Sequence, residues 1–135
     1  MRRPPRSWRY AALTGAVLAT ISPASANAAV AWITSPSRNL DCQMTDRYAG
    51  TSEVLCQSTQ RPQTVTMAAN ERLRICRGLQ CLGNAPENAV TLGYGKSRAV
   101  GKFRCTSLPA GLRCVVIASG RGFLINREGI TPVKL

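Results

Sequence analysis

Six cysteines, at positions 42, 56, 76, 81, 105 and 114, are the residues of this 135-residue chain best equipped for chemistry. A thiolate can bind a soft metal, attack an electrophile or be oxidised to a disulfide. The chain has no histidine. Zinc sites built on cysteine need short paired spacings or histidine partners, and no Cys-x-x-Cys occurs here. Nucleophilic cysteine or serine catalysis usually needs a neighbouring base, most often histidine. An even count in a short chain points instead to three disulfides, provided the compartment is oxidising.

Other patterns with chemical potential break down on inspection. Gly95-Lys96-Ser97 ends like a phosphate-binding loop, but its opening glycine would fall at Val90. No G-x-S-x-G surrounds Ser119, because Ile117 stands where the first glycine belongs. Arg121-Gly122-Phe123 opens like an RNA-recognition strand, and Leu124 and Ile125 then depart from it. Lys96, Lys102 and Lys134 are conceivable bases in a cationic setting. The carboxylates Asp41, Asp46, Glu53, Glu71 and Glu87 show no spacing that would bring two of them together. The expectation is a protein without enzyme chemistry, metal, cofactor or specific nucleic-acid contact.

The compartment is read from the N-terminus. Arg2, Arg3, Arg6 and Arg9 precede an eleven-residue apolar run, Ala11 to Ile21, and then the small residues Ala24 to Ala28. This is the pattern of a secretory signal peptide over residues 1–28, cleaved after Ala26 or Ala28. Eleven apolar residues fall short of the about 20 needed to span a bilayer, so the mature form has no transmembrane segment. A secreted or periplasmic protein follows, with residues 29–135 as a single domain and disulfides permitted. Without the four leader arginines, fourteen basic side chains face six acidic ones. Eight of those fourteen lie in residues 96–135, where Glu128 is the one acid.

Positioning these groups requires strands. Turn-forming clusters recur about every ten residues, with short β-branched or aromatic runs between them, as at Ala31–Thr34, Val54–Cys56, Val65–Met67, Arg72–Cys76 and Phe123–Ile125. That rhythm predicts an all-β fold, a small antiparallel sandwich or barrel of short hairpins stapled by disulfides. In Phe103-Arg104-Cys105 and Leu112-Arg113-Cys114 the chain repeats itself across Pro109-Ala110-Gly111. Pairing Cys105 with Cys114 across a hairpin sets Phe103 opposite Val116 and Ser107 opposite Leu112, with Leu108 to Gly111 as the loop. Strand alternation then turns the cysteines inward and Lys102, Arg104, Arg113, Val115 and Ile117 outward. Cys42–Cys56 and Cys76–Cys81 close two further hairpins. For the latter a type II′ turn at Gly78-Leu79 is expected, with the cysteines about 4.5 Å apart at Cα.

Ser35-Pro36-Ser37-Arg38-Asn39-Leu40-Asp41-Cys42, Thr91 to Gly95, Gly101 to Cys105, Gly111 to Cys114 and Gly120-Arg121-Gly122-Phe123 together resemble a family of small exported bacterial proteins of unknown function. Its pattern reads PSGNI-x-C, LPYG, G-x-x-x-C, GLTC and GHGF, and the resemblance spans about Ile33 to Asn126. This chain has Arg38 for the usual glycine, Gly93 for proline, Arg121 for histidine, and a short middle between Cys76 and Cys81. The resemblance implies no activity. The charge supplies the functional expectation: a non-catalytic module whose basic face, Lys102, Arg104, Arg113 and Arg121, contacts an anionic cell-envelope polymer. The alternative is an inhibitor of a secreted hydrolase, in the manner of lysozyme inhibitors. Oligomeric state is not legible in the chain.

Overall fold

A computed structural model describes residues 15–18, 29–85 and 87–134. Apart from 15–18, the expected signal peptide lies outside the described residues. The β-branched runs form strands, bounded by the Gly, Pro and Asn turns between them. They are β1 (Ala29–Thr34), β2 (Leu40–Tyr48), β3 (Thr51–Ser58), β4 (Gln63–Ala68), β5 (Leu73–Arg77), β6 (Val90–Thr91), β7 (Ser97–Val100), β8 (Phe103–Leu108), β9 (Gly111–Val116), β10 (Gly122–Asn126) and β11 (Gly129–Val133). No α-helix occurs among the described residues, and none there is long and apolar enough to cross a membrane.

Two sheets result. The first runs β5-β4-β3-β2-β1-β6, antiparallel except where β6 lies parallel to β1. The second, β11-β10-β9-β8-β7, is antiparallel throughout. Strands β1 to β5 form one meander and β7 to β11 another, with β6 added to the first sheet beside β1, and the fold is a sandwich. Between the sheets lie Met44, Val54, Val65, Met67, Phe103, Leu112, Phe123 and Ile125, all fully buried. Two phenylalanines are a small aromatic content for such a core, and four half-cystines are buried in the same cluster.

The three disulfides are Cys42–Cys56, Cys76–Cys81 and Cys105–Cys114. Cys42 pairs with Cys56 in the β2–β3 ladder and Cys105 with Cys114 in the β8–β9 ladder, both at a Cα separation of 4.1 Å. That is the closely spaced position of an antiparallel pair. The two bridges stack on each other across the sandwich, with Cys56 Sγ 3.8 Å from Cys114 Sγ. All four sulfurs are buried and committed to disulfides, so their clustering is packing and not a set of free thiolate ligands.

The β8–β9 hairpin has the expected register, Phe103 opposite Val116, Cys105 opposite Cys114 and Ser107 opposite Leu112. Its loop is tighter than expected, because Leu108 and Gly111 also pair and only Pro109-Ala110 turns. The Cys76–Cys81 segment departs further. Its cysteines are joined, but the Gly78-Leu79 hairpin is replaced by a 3-10 turn over Leu79–Cys81. The Gly78 amide donates to the Pro62 carbonyl, at 2.9 Å, rather than closing a local ladder. The Cα separation is accordingly 5.8 Å and not the closer value of a strand pair. From there the chain passes over the first sheet, where Gln57 donates to the Gly83 carbonyl and accepts from the Gly83 amide.

Candidate functional site

Alternation along the second sheet builds its outer face. β8 runs buried, exposed, buried, half-buried from Phe103 to Thr106, so Cys105 goes in and Arg104 goes out. Arg104 pairs with Val115, which pairs in turn with Gly122 and so with Val133. The next outward row is Ser97, Thr106, Arg113, Leu124 and Thr131. Arg104 and Arg113 are therefore diagonal neighbours, about 7–8 Å apart at Cα by strand geometry. Lys102 lies two residues before Arg104, and its carbonyl accepts from the Ile117 amide at 2.8 Å. This extends the same face by one more row, Lys102 beside Ile117.

Three of the four expected cations thus share one face. Arg121 does not join them. It leaves the β9–β10 loop toward the β4–β5 turn of the other sheet, where its guanidinium stands 3.9 Å from the Glu71 carboxylate. The other ion pair among the described residues is Arg47 with Asp46, so neither involves Lys102, Arg104 or Arg113. Glu128, the one acid of the second sheet, occupies the β10–β11 turn at the opposite end from Lys102. Apolar groups separate the cations: Val115, Leu124 and Val133 are half-buried and Ile117 is exposed.

Close backbone approach flattens the face at its middle. A side chain at Gly122 would set Cβ 1.9 Å from the Cys114 carbonyl oxygen and 2.7 Å from Val115 Cα. Glycine there lets β10 lie against β9 opposite Val115, the partner of Arg104. The outer face of the first sheet differs in being partly covered. The segment following Cys81 crosses it and leaves a cleft of about 280 Å³ among residues that include Trp32, Leu55 and Leu82.

A second concave feature opens at the end of the sandwich remote from Lys102. The β1–β2, β8–β9 and β10–β11 turns meet there around a cleft of about 440 Å³. Ser35, Ser37, Asn39, Gln60, Tyr94, Pro109 and Arg127 are among its walls. Nothing in composition or charge singles out this cleft, because its walls come from five separate loops. The stretches Ser35 to Cys42 and Thr91 to Gly95 both send residues into it. Comparison with family models, curated proteins and solved structures returned no match.

Proposed function

We propose that this is an exported, non-catalytic binding module whose second sheet presents a basic outer face to an anionic polymer of the cell envelope. The observation that carries the proposal is the joint position of Lys102, Arg104 and Arg113 on one face, engaged by no ion pair among the described residues, with Asp46 of the first sheet the acid that comes nearest, beside Gly101 and Lys102. Exposed arginine is well suited to phosphate and carboxylate groups, which its planar fork binds in bidentate fashion. Val115, Ile117 and Leu124 between the cations supply contact area that a purely solvating surface would not need. Three disulfides support an oxidising compartment, secreted or periplasmic, as the place where the protein works.

Such binding is governed by charge, and its salt dependence is the first test. Binding of the purified protein to immobilised lipopolysaccharide should weaken by more than about tenfold between about 50 mM and about 500 mM salt, as bound cations are displaced and the field is screened. Affinity that stays constant over this range would mean that contacts other than these charges hold the polymer.

A further inference from the structure

We propose that the cleft at the end of the sandwich is a saccharide site, separate from the basic face and independent of it. A sugar ring offers an apolar C–H face and a rim of hydroxyls, and its binding site must answer both. The cleft does so. Tyr94 is 53% exposed at its wall, and Pro109 adds a second apolar surface. Around them stand Ser37, Asn39, Gln60 and Arg127, whose side chains include the donors and acceptors that a hydroxyl rim can use. The volume, about 440 Å³, lies within the range of small-ligand clefts.

The site is held by a rigid frame. The Tyr94 loop is tied to both sheets, since the Gly95 amide donates to the Ser107 carbonyl at 2.7 Å and the Leu92 amide to the Thr34 carbonyl at 2.9 Å. Opposite it, Ser37 donates to the Asn39 side chain, and the Asn39 carbonyl accepts from the Thr59 amide. Asn126, between the two hairpin turns, donates to the Ala110 carbonyl and accepts from the Glu128 and Gly129 amides. Preorganised side chains lose little freedom on binding.

Two buried hydroxyls lie in strands that end at the cleft. Ser58 lies opposite Leu40, a wall residue, and Ser107 precedes Leu108, another. Both hydroxyls are buried and have no hydrogen-bond partner among the described residues. Buried polar groups are nearly always paired, so these two hydroxyls are exceptions in the strands that lead to the cleft. A peptide is a poorer fit, because the cleft is bounded by turns and offers no free strand edge to extend.

The test uses an array of immobilised bacterial surface oligosaccharides, probed with the full chain in about 500 mM salt, where charge-driven binding is suppressed. Wild-type protein should retain at least one neutral oligosaccharide. Tyr94→Ala and Gln60→Ala, both at exposed loop positions, should lose at least tenfold of that signal. The double variant Arg104→Glu/Arg113→Glu should keep it, which separates this site from the basic face. Backbone amide shifts on adding the best-retained oligosaccharide should centre on residues 37, 60, 94 and 127. Failure to retain any neutral oligosaccharide at high salt, or undiminished retention by Tyr94→Ala, would overturn the assignment. Capture of anionic glycans alone, and only at low salt, would leave the basic face standing and remove the cleft.

Discussion

Arg38 holds a backbone conformation that ordinarily belongs to glycine. Its φ is 60°, in the left-handed region, where Cβ crowds the following carbonyl. The turn needs this conformation: the Arg38 amide donates to the Ser35 carbonyl, and Ser35 donates back to the Leu40 carbonyl to open β2. This is also the position at which the resembling pattern has glycine. Arg38→Gly should therefore stabilise the fold by about 0.5–1 kcal/mol, the relief of strain exceeding the extra chain entropy of glycine. Arg38→Ile, which adds a β-branch to the same backbone, should lower the melting temperature. Thermal unfolding of the two variants checks the pair, and a lower melting temperature for Arg38→Gly would count against the strain argument.

Among the elements, the β8–β9 hairpin was the most legible in sequence. Two cysteines placed evenly about Pro109-Ala110 define both its register and its faces, because a one-residue slip would turn every arginine inward. The Cys76–Cys81 turn was less legible. Gly78 suits a local hairpin, but its amide is claimed by Pro62, a tertiary partner that no local pattern announces. Strands β6, β7 and β11 were missed for a related reason. β11 contains Pro132, which is tolerated because β11 lies at the edge of its sheet, and edge position is a property of the whole fold. Burial also separates the bridges energetically. Replacing Cys76 and Cys81 by serine should cost about 2 kcal/mol, the loop-closure entropy of a short exposed segment. Replacing Cys105 and Cys114 by alanine should cost more than about 3 kcal/mol, because a packed core contact is lost as well. Denaturant unfolding of the two double variants compares them, and equal losses would mean that the stacked sulfurs add nothing beyond their cross-links.

The whole molecule is asymmetric. One outer face is crossed by the segment that follows Cys81, and the other is bare, basic and flanked by apolar side chains. The charge excess of residues 96–135 announced that face, since those residues form the second sheet almost entirely by themselves. Arg121 stands apart from that face beside Glu71, because sequence proximity to the hairpin says nothing of a partner fifty residues away in the other sheet. The end cleft was hidden for the same reason: its loops meet only once the two meanders are stacked. The most direct measurement of the central claim is binding of Arg104→Glu/Arg113→Glu to immobilised lipopolysaccharide, beside wild type. Both side chains point away from the Phe103, Cys105, Cys114 and Val116 core face, so the variant should fold with its disulfides intact. At about 50 mM salt it should bind about fivefold or more weakly than wild type, and at about 500 mM the two should be nearly equal. A folded variant that binds as tightly as wild type at low salt would contradict the account and leave the arginines as a solvated surface.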